Sequence, residues 1–302
     1  MRAILFGASK AGENYVSNHP DIEVVAFTDN DSAKHGTRFM GYPIIAPADI
    51  SAHDIDSIII TSQWVDQIYS QLTQEMGIDE SNIIVPSKQS VKAALPFEDN
   101  ETLAFAQSVM RTLNRYFVSH NISACLDSGT LLGAVRNKGL IPWDDDIDLA
   151  VDKDNYERLQ GSLPELYKFL NTNYDVKWNI VIITVNNIDC CINLEFSNSS
   201  HTQLVPFDIS IQRRESINGL SELLSSGGLF FAPATHFDSY EPIEFLGETF
   251  LAPFDAEGFL TFMYGHWQTP KKTTQITEYE NRRASMSAPR TGISVQKRTF
   301  CE

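Results

Sequence analysis

Asp146 and Asp148 are the residues of this chain best placed to do chemistry. They stand in Trp143-Asp-Asp-Asp-Ile-Asp-Leu-Ala-Val151, where an acidic run passes directly into an apolar segment. Ile147–Val151 reads as a β-strand, and side chains alternate across a strand. Asp146 and Asp148 then share one face, while Ile147 and Leu149 point into the core. Two carboxylates on one face repel each other unless a cation lies between them. Hard oxygen donors at this spacing suit Mg²⁺ (or Mn²⁺), and Mg²⁺ takes one or two carboxylates plus substrate phosphates. Asp144 and Asp145 precede the strand and either tune the site or lie in solvent. A solvated turn is the commoner fate of a short acidic run. Here the carboxylates enter an apolar strand, where burial without a partner is costly.

Upstream, Gly129-Thr130 precedes a helix predicted over Thr130–Arg136. A small residue and a hydroxyl at a helix N-terminus form an anion site. A hairpin-like return would bring bound phosphates beside the metal. Arg136 can grip phosphate through two N–H groups, and Lys138 can act as a point charge. Solvated surface positions are the equal alternative for both. Asp127 either orients this loop, touches the donor or caps the helix.

A second glycine pattern lies near the N-terminus. Gly7-Ala-Ser-Lys-Ala-Gly12 follows the apolar run Ala3–Phe6 and opens a helix over Ala11–Asn18. Asp29 closes the strand Glu23–Thr28, where a dinucleotide-binding fold holds a ribose hydroxyl. Gly7, Gly12 and Asp29 are therefore the candidate cofactor contacts. Ser9 occupies the place of the middle glycine of G-x-G-x-x-G, which favours a module of that type without NAD chemistry.

The elements that must position these groups form two blocks. Residues 1–90 alternate strands (Ala3–Phe6, Glu23–Thr28, Ser57–Thr61, Asn82–Val85) with helices (Ala11–Asn18, Val65–Met76), which predicts a parallel Rossmann-like sheet. Ser87–Glu101 reads as a linker. Residues 91–302 form the second block, an α+β domain. It opens on an amphipathic helix over Leu103–His120, with Leu103, Ala106, Met110, Leu113 and Phe117 on one stripe. A strand over Ser123–Leu126 and a helix over Asn155–Leu170 broken at Pro164 follow. Strands come next at Ile180–Val185, Ile192–Phe196, Val205–Ile211 and Ile243–Phe250, with Ser221–Gly228 a loop and Asp255–Tyr264 a helix. The tail from Lys271 is polar and weakly patterned.

The chain has 302 residues, 42% hydrophobic and 11% aromatic, with a formal net charge of -16. That charge argues against non-specific nucleic-acid binding, which needs Lys and Arg against phosphate. No stretch approaches the roughly 18 apolar residues of a membrane span, and Ala3–Phe6 is too short for a signal peptide. The expected location is the cytoplasm. Four cysteines without a Cys-x-x-Cys pair read as reduced, mostly buried thiols.

The string Gly129-Thr-Leu-Leu-Gly-Ala-Val-Arg-Asn-Lys-Gly-Leu-Ile-Pro-Trp-Asp-Asp-Asp-Ile-Asp-Leu-Ala-Val151 closely resembles the LicD family of phosphocholine transferases, and more distantly fukutin and fukutin-related protein. The resemblance runs from about residue 103 to 270 and implies a nucleotidyltransferase-like domain. Asp208, in Val205-Pro-Phe-Asp-Ile-Ser210, resembles the family's third acidic position, although family versions read closer to I-D-I-F-P. Tyr264-Gly-His-Trp-Gln-Thr-Pro270 resembles a C-terminal family segment, which offers His266, Tyr264 and Trp267 to the substrate site; packing is the equal alternative for Tyr264 and Trp267. The resemblance implies Mg²⁺-dependent transfer of a phospho-substituent from a CDP-activated donor to a sugar hydroxyl of a glycan precursor. Asp146, Asp148 and Asp208 would be the catalytic and metal-binding set. The first block resembles small Rossmann-like domains in front of sugar-modifying enzymes. The residues alone leave open a nucleotidyltransferase, an NAD-linked oxidoreductase or binding module built on the first block, and a homo-oligomer.

Overall fold

A computed structural model describes residues 1–92, 95–272, 278 and 294–300. The protein is of the mixed α/β class and divides into two compact units. The first centres on Met1–Ala93. The second centres on Ala94–Pro270 and includes Ser294–Glu302.

The first unit contains β1 (Arg2–Phe6), α1 (Lys10–Asn18), β2 (Glu23–Thr28), β3 (Arg38–Phe39), β4 (Tyr42–Ile45), β5 (Ser57–Ile60), α2 (Val65–Ser70) and β6 (Ile83–Ile84). The sheet order is β3-β4-β2-β1-β5-β6. Every neighbouring pair is parallel except β3–β4. Strands buried on both faces read as continuous apolar runs, and β1 shows why. Ile4 and Phe6 pack with Ile58, Ile60, Val65 and Ile68 on one side. Ala3 and Leu5 pack with Tyr15, Phe27 and Ile59 on the other. The helix expected over Val65–Met76 is α-helical only to Ser70 and continues as a π-turn over Gln71–Glu75.

The second unit opens on α3 (Asn100–Ser119), whose buried stripe runs through Ala106, Met110, Leu113 and Phe117. Asp99 caps it, accepting from the Thr102 backbone N–H at 2.8 Å and from its hydroxyl at 2.6 Å. The expected linker is partly core, since Phe97 is buried against Phe207. There follow β7 (Cys125–Leu126), α4 (Ser128–Leu132), β8 (Asp146–Val151), α5 (Lys153–Gly161) and α6 (Leu163–Asn173). The helix break comes at Ser162, two residues before Pro164, which occupies the first turn of α6, where its missing N–H costs nothing.

The strands β9 (Val176–Val185), β10 (Ile188–Asn198), β11 (Asp208–Ile217), β12 (Leu220–Leu223) and β13 (Phe231–Pro233) come next, then β14 (Tyr240–Phe245), β15 (Glu248–Pro253), α7 (Ala256–Tyr264) and β16 (Val295–Thr299). The main sheet runs β14-β15-β7-β8-β11-β10-β9-β16, with β12 and β13 branching from β11. Three expectations are corrected here. Ile243–Phe250 is a hairpin turning at Leu246-Gly247, both at positive φ. Ser221–Gly228 is largely β12 and a tight turn. Of the weakly patterned tail, residues 273–277, 279–293 and 301–302 lie outside the described residues, while β16 pairs antiparallel with β9.

Arg298 on β16 pins that edge strand. Its guanidinium donates to both oxygens of Asp189, which also accept from the Thr184 hydroxyl (2.6 Å) and the Gln160 amide (2.7 Å). The Arg298 hydrogen bonds hold the Asp189 carboxyl well below the usual carboxylate range, against the opposing effect of burial. A depressed folded-state value gives stability that is fully present above the unfolded value of about 3.9 and is lost as pH falls below it. Asp189→Asn is therefore expected to be less stable than the parent at pH 7, with the gap narrowing below about pH 4. Urea melts at pH 7 and pH 3 measure this, and an equal gap at both would refute it.

The three described cysteines, Cys125, Cys190 and Cys191, are buried and unbridged. Burial pushes the Cys190 thiol up to about 11, so it stays protonated near neutrality. Cys301 lies outside the described residues.

Candidate active site

The site is built on β8 and β11, which lie side by side and parallel, with Asp208 opposite Asp146, Ile209 opposite Ile147 and Ser210 opposite Asp148. Residues opposite each other in a parallel pair project from the same face, and neighbouring strands are about 4.8 Å apart. Asp146, Asp148 and Asp208 therefore share one face of the sheet. Ile147, Leu149, Ile209 and Ile211 share the other and are buried in the main core. Asp208 is the most exposed of the three carboxylates; Asp146 and Asp148 are half-buried.

Asp148 is held from several sides. Its backbone N–H donates to the Thr130 hydroxyl (2.9 Å), and its carbonyl accepts from the Asp127 N–H (3.1 Å). Its Oδ1 accepts from the Gln212 amide at 2.8 Å. The Asp144, Asp145 and Asp146 carboxylates converge as well, each offering an oxygen within 4.8 Å of the others. Among the described residues this is the one cluster of three or more metal-ligating side chains found at that separation. It overlaps the expected Asp146–Asp148–Asp208 set only at Asp146. The clustered carboxylates offer hard oxygen ligands, which fit Mg²⁺ or Mn²⁺.

The loop before α4 comes close to the cluster. Gly129 lies against Asp144 so tightly that a Cβ there would overlap the Asp144 carboxylate. Gly129→Ala is therefore expected to push Asp144 aside and to weaken Mn²⁺ binding while the melting temperature changes little. Unchanged Mn²⁺ affinity would refute this. Arg136 belongs to the same neighbourhood. It donates to the Trp267 carbonyl (3.2 Å) and to Asn137 (2.7 Å), and it lies 5.9 Å from the centre of the Trp143 ring. Desolvation lowers its pKa, opposed by Coulombic attraction to Tyr264 and Asp144.

Other expected contacts take different places. The Asp127 side chain is 0% exposed. One oxygen caps α4 by accepting from the Ser128 N–H (2.7 Å), and the other accepts from Arg214 Nε (2.8 Å). It is an internal strut, closed off from solvent. The buried Thr130 hydroxyl holds β8 in place of a phosphate. The helix expected over Thr130–Arg136 is instead α4 followed by a π-turn over Gly133–Asn137. Lys138 ends that turn, exposed and left-handed (φ 56°). His266 is also exposed, and it is not part of the carboxylate cluster. Trp267 is buried, with Nε1 donating to the Thr261 hydroxyl, so it packs.

Sequence reasoning missed Ser210, Gln212 and Arg214. They follow Asp208 at every second position of β11, the same period of two that singled out Asp146 and Asp148. Arg214 is 4% exposed and stacks 4.2 Å over the Phe237 ring as well as pairing with Asp127.

In the first unit, Gly7 has a φ of +124°, a region open to glycine, and its N–H donates to the Thr28 carbonyl. A Cβ on Gly12 would lie 2.6 Å from the Gly7 carbonyl oxygen, so glycine there allows α1 to pack on the loop. Asp29 is tied to the same loop. Its Oδ2 accepts from the Ala8 N–H (3.1 Å) and from Lys34 Nζ (2.7 Å). The carboxylate that would meet a ribose is thus engaged with the protein's own groups.

Comparison with known proteins gives a match in each unit. Residues 121–255 match the LicD/FKTN/FKRP nucleotidyltransferase domain, and residues 1–84 match the C2185-like N-terminal domain. The second unit is thus similar to a LicD/FKTN/FKRP nucleotidyltransferase domain, and the first to a C2185-like N-terminal domain. It is 46% identical over 61 residues to the lipopolysaccharide cholinephosphotransferase LicD of Haemophilus influenzae, covering 19% of this chain and 23% of that protein. It is 37% identical over 73 residues to the uncharacterized protein RP689 of Rickettsia prowazekii, covering 24% and 27%. The match spans about a quarter of the length of these curated relatives. A solved structure, UDP-D-quinovosamine 4-dehydrogenase from Vibrio fischeri, aligns over 28% of this chain and 76% of its own at 20% identity. Its TM-score is 0.24, too low to bear on fold or function. Among the described residues, no helix is long and apolar enough to cross a membrane.

Proposed function

We propose that the second unit transfers a phospho-substituent, phosphocholine or a similar group, from a CDP-activated donor to a sugar hydroxyl of a cell-surface glycan precursor. The observation that carries this reading is the parallel register of β8 and β11, which sets Asp208 beside Asp146 on the face that also bears Asp148. The local match to a lipopolysaccharide cholinephosphotransferase supports the choice of donor and acceptor class.

In this reading Asp146 and Asp148 hold Mg²⁺ or Mn²⁺, with Asp144 and Asp145 beside them. A divalent ion bound there neutralises diphosphate oxygens and the charge that develops on the leaving CMP. The protein's own groups do the rest. Gly129, where any side chain would displace Asp144, lets the loop lie close against the carboxylates. Arg136, already partly desolvated, supplies a fixed positive charge at the edge of the cluster. Asp208, the most exposed carboxylate, either completes the metal site or, left off the metal, accepts the proton of the attacking hydroxyl as it comes in from solvent. We place this activity in the cytoplasm and assign the first unit no catalytic part.

A panel of CDP-choline, CDP-ethanolamine, CDP-glycerol and CDP-ribitol, each with and without Mg²⁺, tests the reading. One donor should raise the melting temperature only when Mg²⁺ is present, and that donor should yield CMP on incubation with a sugar acceptor. Four donors without a metal-dependent shift would sink the assignment.

A further inference from the structure

Gln212 sits where its amide can do only one thing. Its Nε2 donates to Asp148 Oδ1 at 2.8 Å, and its Oε1 accepts from the Ser225 hydroxyl at 2.6 Å. An amide can be placed either way round, and its partners decide which. Turned over, the Gln212 oxygen would face the Asp148 carboxylate, oxygen against oxygen. The Ser225 hydroxyl, as a donor, stabilises the orientation that avoids this. Ser225 lies in the turn Leu224–Ser226 that follows β12, and β12 is itself hydrogen-bonded to β11. The hairpin therefore brings Ser225 back over Gln212.

The same strand supplies a second brace two residues on, where Arg214 pairs with Asp127 beneath the loop before α4. Asp127 and Asp148 are joined through their backbones. Alternate positions of β11 thus hold both the carboxylate of Asp148 and the loop next to it. Asp148 is held by the Thr130 hydroxyl on its N–H, by the Asp127 N–H on its carbonyl and by Gln212 on its side chain.

We propose that Gln212, oriented by Ser225, is the positioning residue that sets the Asp148 carboxylate for the divalent ion. This rests on the metal-dependent transfer proposed above. Partners behind a metal ligand fix its orientation, and losing one costs about 10- to 100-fold in metal affinity or activity.

The test titrates Mn²⁺ alone against the full chain, reading free Mn²⁺ by electron paramagnetic resonance, with thermal melts alongside. Gln212→Met keeps the side-chain length and removes the donor. It should weaken Mn²⁺ binding about 10-fold with a near-parental melting temperature. Ser225→Ala should weaken binding less and in the same direction, because the amide can then turn over. If Gln212→Met lowers the melting temperature, Ser225→Ala decides. Parental Mn²⁺ affinity in both variants would overturn the role of Gln212 and leave the transferase reading standing. A parent chain that binds no Mn²⁺ would overturn both.

Discussion

Replacing Asp148 by asparagine is expected to reduce transfer by about 10³-fold while leaving the fold intact. The reason lies in what the substitution keeps. Asparagine has almost the same shape, its oxygen can still accept from Gln212, and the backbone bonds of Asp148 to Thr130 and Asp127 involve no side-chain charge. Only the negative charge goes, and with it the attraction for a divalent ion. Metal stabilisation of the developing charge is worth several kcal/mol, and about 4 kcal/mol corresponds to roughly three powers of ten in rate. The measurement is CMP release from the donor that the panel selects, at saturating Mg²⁺, with a melting curve to show that the variant is folded. A variant that keeps a tenth or more of the parental rate would refute the metal role of Asp148.

The second large effect concerns stability. Asp127 and Arg214 form an ion pair that is almost wholly removed from water, at 0% and 4% exposure. Breaking such a pair from one side leaves an uncompensated charge in the interior, which costs about 3–5 kcal/mol. Asp127→Asn retains the cap on the Ser128 N–H but strands the Arg214 guanidinium between a neutral amide and the Phe237 ring. The expected loss corresponds to a fall of about 10 °C in the melting temperature of a unit this size. Adding Arg214→Met to Asp127→Asn should recover part of it, because the double variant buries no charge. Calorimetry on the two single variants and the double one measures the coupling. A loss below about 1 kcal/mol in Asp127→Asn would show that the pair is not the brace described here.

Asp127 also shows where sequence reading stops. Its position just before a small residue and a helix is compatible with a donor contact, a loop support or a cap. The two groups that choose among these differ in how far away they lie. The Ser128 N–H is adjacent and in principle foreseeable, but Arg214 is 87 residues away. Thr130 is a similar case. A hydroxyl at a helix start suits a phosphate, yet here it anchors β8, because the loop folds back under that strand. In the first unit, Asp29 ends the right strand for a ribose contact, and only the fold reveals that Ala8 and Lys34 already occupy it.

What the sequence determined by itself is local and periodic. Alternation along Asp146-Ile-Asp-Leu fixed which side chains share a face, since that depends only on the strand's period of two. Apolar runs and helical stripes fixed the parallel first sheet and α3 for the same reason. The tertiary structure alone decided what sits across the strand. It chose β11 as the neighbour of β8, in a register that sets Asp208 beside Asp146 and brings Gln212 to Asp148 from 64 residues away. Strand pairing is a contest among all the strands for burial and backbone hydrogen bonds, and no short stretch of the chain holds its outcome.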